Sequence, residues 1–86
     1  MTYRVILIEN NEGFAVFCPA LPGCCSQGAT EGEALEMIVD GITAWLDVGG
    51  TPAQDGGAAD EAEIMLEAAE DRTRVMRREV RLPVAA

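Results

Sequence analysis

Histidine and lysine are both absent from this chain of 86 residues, and aromatic side chains are scarce, with one Trp, one Tyr and two Phe. Histidine is the commonest general base and a frequent transition-metal ligand, so its absence argues against many classes of enzyme and metalloprotein. The six basic residues are all Arg, and the formal net charge is −9. An acidic surface repels phosphate, so we expect no direct binding of nucleic acid by the monomer and a basic protein as partner.

Long apolar runs are also missing. No run approaches the roughly 20 residues of a membrane-spanning helix, and the N-terminus has neither a basic region nor a cleavage site. We therefore expect a cytoplasmic protein that has no contact with a membrane. The chain is 49% apolar, which excludes a disordered chain. Its length predicts a single domain over residues 1–86 with a thin core, which favours a homodimer or a higher oligomer.

The three cysteines, Cys18, Cys24 and Cys25, are an odd number, and two of them are adjacent. Neighbouring strand residues point to opposite faces, so Cys24 and Cys25 cannot easily bind one metal ion together, and a disulfide between them would be strained. We interpret all three as small buried or half-buried apolar side chains in a reducing cytosol. The sequence predicts neither a metal nor a cofactor.

The first thirty residues alternate between strand signals and turn signals. Residues 3–8 predict a strand that is apolar on both faces, which indicates a central strand covered by a helix on one side and by another subunit on the other. A turn at 10–13 leads to a second strand over 14–18. Two prolines end that strand, and a short third strand is predicted over 24–29.

An amphipathic helix is the clearest secondary-structure signal. Thr30 followed by Glu33 forms a capping box, and apolar residues then recur at helical spacing as far as Leu46. The pair Gly49-Gly50 ends the helix, which is predicted over about 31–48. Trp45 lies on the apolar stripe, so we expect it in the core rather than stacked on a ligand.

The second half of the chain has weaker signals. Residues 51–59 are rich in Gly, Ala and Pro and predict a flexible connection, and a short second helix is predicted over about 60–71. A last strand is predicted over 79–84, where Pro83 indicates a sheet edge or the strand's own end. The predicted fold class is α+β: an antiparallel sheet of three to four strands in the order βββαβ, with the main helix on one face.

Carboxylates are the only plentiful reactive groups. Glu33, Glu36 and Asp40 share one side of the main helix and could hold a divalent ion together with Glu9, but a solvated acidic face is the favoured interpretation. The Arg residues between 72 and 81 are interpreted as a charge match for the acids just upstream, within the chain or between subunits.

The segment that follows the second strand contains several polar and glycine residues with expected structural roles. Ser26 has no base to activate it, so Ser26 and Gln27 are expected to hydrogen-bond backbone groups around the turn into the helix. Pro22-Gly23 predicts a tight turn whose second residue has positive φ, and Gly28 predicts a bulge or a close backbone approach.

Several segments resemble the HicB-like antitoxins of bacterial and archaeal type II toxin–antitoxin pairs. Residues 3–8 resemble the opening strand of that family, residues 12–16 its Gly-aromatic second strand, and residues 33–35 and 42–46 its helix. The most specific part is a proline, LPGC and SQG pattern that precedes the helix. Its residues are Pro19, Leu21, Pro22, Gly23, Cys24, Ser26, Gln27 and Gly28, followed by the helix cap Thr30 and Glu33.

The resemblance implies a partly degraded RNase H-like fold and a non-catalytic protein that masks a small basic mRNA-cleaving toxin of HicA type. It implies that the motif residues are structural or face the partner. Many such antitoxins carry a C-terminal DNA-binding domain, and we expect a short form without one, because the part after Gly50 is short and acidic. Two alternatives remain: an orphan homo-oligomeric domain with another partner, and a residual metal-dependent nuclease that uses Glu9 and the helix carboxylates.

Overall fold

The computed structural model describes residues 2–71 and 73–82, and these residues form four strands and two helices. In chain order the elements are β1 (Thr2–Asn10), β2 (Gly13–Phe17), β3 (Cys25–Gly28), α1 (Glu31–Asp47), α2 (Ala58–Glu70) and β4 (Arg74–Arg81). The predicted α+β class is confirmed. The main helix agrees with its predicted range to within one residue, and the second helix starts two residues before its predicted range.

The strands form one antiparallel sheet in the order β3-β2-β1-β4. The predicted hairpin joins β1 to β2: Asn10 pairs with Gly13, and the Asn10 side chain accepts a hydrogen bond from the Glu12 N–H at 2.8 Å. Because β1 lies between β2 and β4, the strand that was predicted to be central is central.

The last strand begins at Arg74, five residues earlier than the predicted start at residue 79. The part of the strand before residue 79 lacks the apolar alternation on which the prediction relied, because it contains Arg74, Arg77 and Arg78. The strand forms through main-chain pairing with β1 over its whole length, from Glu9↔Arg74 to Thr2↔Arg81. Its place at a sheet edge is confirmed, and the predicted residues 83 and 84 lie outside the described residues.

One face of the sheet packs against α1 and forms the core. The central residues of this core are fully buried: Val5, Leu7, Val16, Ala34, Ile38 and Ile42. The helix starts where the capping box predicts, since the Glu33 N–H donates to the Thr30 Oγ1 at 3.1 Å. The burial of this apolar stripe, rather than helix propensity, supplies most of the stability of a helix in a small domain.

The opposite face of the sheet is partly covered by α2. Arg4 on β1 and Arg77 on β4 point to this face, and both contact Glu61 of α2, at 3.4 Å and 3.6 Å. Ile6 lies on the same side of β1 as Arg4 and is fully buried. The sequence predicted that another subunit covers this second face of β1. In the structure the chain's own α2 covers part of it. The prediction did not include α2 because ion pairs of Glu61, and not a strong apolar stripe, connect this helix to the sheet.

Gly28 lies where β3 passes closest to α1. A Cβ atom on Gly28 would be 2.5 Å from the backbone N and 2.9 Å from the Cα of Ala34. These neighbours belong to the backbone of a packed helix, so they cannot move aside as the end of a flexible side chain could. The close backbone approach predicted for Gly28 is confirmed.

We expect Gly28→Ala to lower the free energy of unfolding by about 1–3 kcal/mol, the usual cost of inserting a methyl group into a packed contact. Urea denaturation followed by circular dichroism measures this change. Gly32→Ala is the matched control, because a Cβ on Gly32 meets nothing within 4 Å. That variant is expected to keep or slightly raise the stability, since alanine is the better helix former. Equal unfolding midpoints for the two variants would contradict the close approach.

Candidate protein-interaction site

The segment 18–25, here called the 18–25 loop, connects β2 to β3 through a tight turn. The Cys18 N–H donates to the Cys24 carbonyl at 2.9 Å, and the Cys24 N–H donates to the Leu21 carbonyl at 2.9 Å. Gly23 has a φ of +81°, so the positive φ predicted for the second residue of the Pro22-Gly23 turn is confirmed. Leu21 enters the core and is almost fully buried.

Trp45 of α1 fixes one side of this loop. Its Nε1 donates a hydrogen bond to the Pro22 carbonyl at 2.9 Å, and its half-buried ring packs against the core. The prediction that Trp45 belongs to the core is confirmed for the ring. Sequence reasoning missed the role of the indole N–H, whose acceptor lies 23 residues earlier in the chain.

The start of α2 fixes the other side of the loop. Gly57, the residue before α2, has a φ of +87°, and a Cβ there would overlap the backbone of Pro19 and Ala20. The Ala53 N–H donates to the Ala20 carbonyl at 2.9 Å. The 51–59 connection was predicted to be flexible, but these contacts tie it to the 18–25 loop.

Asp55 helps to shape the same connection. Its carboxylate accepts hydrogen bonds from the Gly57 N–H at 2.8 Å and the Ala59 N–H at 3.0 Å. These bonds to the Ala59 and Gly57 N–H groups lower the pKa of Asp55 below its ordinary value. Sequence reasoning did not identify Asp55, although Asp side chains commonly accept a hydrogen bond from the N–H two residues on, as Asp55 does from Gly57.

A groove of about 300 Å³ runs between the 18–25 loop and α2, and we call it the α2 groove. Its apolar lining includes Phe17, Pro22 and Ile64, and its rim carries the carboxylates of Asp60, Glu63 and Glu67. The three acids have the spacing i, i+3, i+7, which places them along one side of α2. The groove therefore joins the LPGC segment to an acidic helix face.

The rim acids have no cationic partner within residues 2–71 and 73–82. The ion pairs formed there by carboxylates use other residues, namely Glu9, Glu31 and Glu61. All three rim acids are exposed. Their charges are therefore uncompensated in the described structure, and they give the groove a negative potential.

Most of the arginines of β4 form ion pairs with carboxylates of the same chain. Arg77 pairs with Glu61, which confirms the charge match with the upstream acids for this residue. Arg78 pairs instead with Glu31 of α1 at 3.0 Å, and Arg74 pairs with Glu9 at 3.5 Å. Arg72, which was included in the predicted charge match, lies outside the described residues.

The carboxylates considered for metal binding do not form a metal site within the described residues. In the part of the chain that the structure describes, no three His, Cys, Asp or Glu side chains lie close enough together to hold a metal ion. Glu9 faces Arg74, and the helix carboxylates Glu33, Glu36 and Asp40 are exposed. Neither described helix has the length and apolar character needed to cross a membrane.

The motif residues have different surroundings. Pro19, Leu21 and Cys24 are buried, Ser26 and Gly28 are half-buried, and Pro22, Gly23 and Gln27 are exposed. The side chains of Ser26 and Gln27 form no hydrogen bond within the described residues, so the bonds predicted for them are not found. The reason is that both residues belong to β3 and pair with β2, while main-chain groups satisfy the turn.

Sequence comparison finds relatives that match about half of this chain. A UPF0150 protein of Thermoplasma acidophilum is 44% identical over 48 residues, which are 55% of this chain and 70% of that protein. The chain belongs to the UPF0150 family. A second UPF0150 protein, from Synechocystis sp., is 41% identical over 46 residues, which are 52% of this chain and 58% of that protein. No protein-family model matches the chain.

The fold of this UPF0150 chain is also found in a solved structure. A chain of a HicA3 and HicB3 toxin-antitoxin complex aligns with a TM-score of 0.56 and 20% identity, over 90% of this chain and 94% of that chain. At this identity the likeness establishes the fold. Together with the UPF0150 relatives, it confirms the HicB-like resemblance, and the four-stranded α+β fold of the chain matches a HicB-like fold.

The three cysteines of the UPF0150 chain are free, and they differ in exposure. Cys18 and Cys24 are buried as predicted. The prediction is wrong for Cys25, which is exposed on the wall of the α2 groove because the side chains of neighbouring strand residues point to opposite faces. Burial, with a smaller contribution from Cys24, raises the pKa of the Cys18 thiol to about 11. Burial also raises the pKa of Cys24, with the neighbouring Cys25 as the second cause.

We expect one fast-reacting thiol in the native protein at pH 8, assigned to Cys25. A raised pKa lowers the thiolate fraction at a given pH, and the thiolate is the reactive form, so Cys18 and Cys24 should react at least about tenfold more slowly. Kinetics with a chromogenic disulfide reagent measure this difference. Cys25→Ser should remove the fast phase, and urea should release both slow thiols. Three equal rates in the native protein would contradict the described burial.

Proposed function

We propose that this UPF0150 domain is an antitoxin-like module that binds and masks a small basic mRNA-cleaving toxin of HicA type, without catalysing a reaction itself. The observation that carries the proposal is the fold shared with a chain of a HicA3 and HicB3 toxin-antitoxin complex. The LPGC and SQG pattern before the capped helix supports the same assignment, because it is the most specific part of the resemblance to HicB-like antitoxins.

The charge of the chain supports a basic partner. The formal net charge is −9, and the rim of the α2 groove carries uncompensated acids among the described residues. Opposite charges on two partners accelerate their encounter and disfavour unsuitable partners. A toxin that binds RNA needs a basic surface, and a protein that covers this surface with carboxylates competes directly with RNA phosphates.

We expect the tagged protein to form a stoichiometric complex with a HicA-type protein encoded in the same genome. Copurification after coexpression, followed by a mass-spectrometric determination of stoichiometry, tests the binding. An RNA-cleavage assay tests the masking, and cleavage should fall in proportion to the added antitoxin. The affinity should decrease as the salt concentration rises, since ions screen exposed charges. Unchanged cleavage at equimolar antitoxin would contradict the proposed function.

The second candidate is an orphan domain that assembles with copies of itself and serves another partner. The observation in its favour is β4, an eight-residue edge strand on which no strand pairs with the outer side within the described residues. Unpaired strand edges are templates for association with a further chain.

We expect sedimentation at micromolar concentration to show a dimer or a larger oligomer under either candidate. Burial between copies would supplement the thin core of an 86-residue chain. The measurement should be made at low and at moderate salt, because salt screens the exposed charges along the edge of β4. A monomer at every concentration and salt level would contradict self-association.

A further inference from the structure

The α2 groove combines an apolar floor with an acidic rim, and we infer that it is the docking site for an arginine-bearing segment of the basic partner. This inference rests on the proposed function and adds a location and a recognition chemistry to it. It concerns the groove between the 18–25 loop and α2, not the acidic surface as a whole.

The floor of the groove suits the stem of a long side chain. Phe17 and Ile64 are half-buried and Pro22 is exposed, so their apolar surfaces remain open to the groove. The methylene groups of Arg and Lys cover such surfaces while the charged end reaches water. Phe17 also offers an aromatic ring, on which a planar guanidinium stacks better than a compact ammonium does.

The rim supplies the charge that selects a cation. Asp60, Glu63 and Glu67 line the groove, and no Arg is among its described lining residues. Carboxylates accept two parallel hydrogen bonds from a guanidinium, which adds geometric selection to the attraction between opposite charges. An arginine side chain can therefore make apolar contacts with the floor and ion pairs with the rim. An acidic or purely apolar segment can make at most one of these two kinds of contact.

Both walls of the groove are held in place before a partner arrives. Trp45 holds the loop through Pro22, Gly57 packs against Pro19, and Glu61 attaches α2 to the sheet. A preformed site loses less conformational entropy on binding than a site that must be ordered by its partner. The contacts that hold the α2 groove therefore lower the entropic cost of binding a partner there.

Two other cavities of the described structure suit this role less well. A cavity of about 420 Å³ includes Arg4, which would repel a cation and already pairs with Glu61. A cavity of about 250 Å³ beside Gly28 has Glu12 and Glu33 in its lining, but no LPGC residue contributes to it. The exposed acids Glu36 and Asp40 of α1 line none of these three cavities, which makes them suitable as a control.

The decisive experiment compares two double variants with equal loss of charge, Glu63→Gln/Glu67→Gln in the groove and Glu36→Gln/Asp40→Asn on α1. Isothermal titration with the HicA-type protein of the same genome measures their dissociation constants. We expect at least a tenfold weakening for the groove variant and less than a threefold weakening for the α1 variant. Unfolding midpoints in urea show that both variants remain folded, since all four residues are exposed.

Cys25 gives an independent test with the unaltered protein, because it is exposed and lines the groove. Saturation with the partner should slow the alkylation of Cys25 at least tenfold. An unchanged alkylation rate at saturation, or equal weakening by the two double variants, would overturn the inference and leave the proposed function standing. If the wild-type protein does not bind the HicA-type protein, both are overturned together.

Discussion

The packing of α1 on one face of the sheet is the interaction on which the rest of the structure depends. Burying a large aliphatic side chain contributes about 1.5–3 kcal/mol, whereas an exposed ion pair contributes about 0–1 kcal/mol. The core that joins α1 to β1 and β2 therefore contributes more than any of the ion pairs found within residues 2–71 and 73–82. It also determines the position of Trp45, whose indole N–H reaches the Pro22 carbonyl only because α1 crosses the sheet at this place.

The second helix is attached in a different way. Ala68 is its only buried residue in the described structure, and Glu61 connects it to two arginines of the sheet. The Glu61 side chain is 14% exposed, while those of Arg4 and Arg77 are 62% and 58% exposed. The Glu61 carboxylate is therefore largely removed from water, while the two guanidinium groups that pair with it remain hydrated. This arrangement leaves the outer sides of α2 free to carry the acids of the groove.

The LPGC segment serves the fold and the candidate site at the same time. Leu21 and Cys24 enter the core, and Gly23 permits the turn that brings the chain back to β3. Pro22 remains exposed beside α2, where it lines the groove. The same few residues thus connect the core to a surface that charge and shape make suitable for a basic protein. The fold and the UPF0150 membership are established by comparison, and the masking of a toxin is the function we propose from them.

Signals between near neighbours determined much of this protein from the sequence alone. The Thr30 cap, the apolar stripe of α1, the Asn10–Gly13 hairpin and the Pro22-Gly23 turn are each encoded within a few residues, because hydrogen bonds and side-chain periodicity act at short range. Tertiary structure decided the early start of β4, the sheet face covered by α2, the acceptor for Trp45 and the groove. Each of these features joins residues distant in sequence, and its energy exists only after the chain has brought them together.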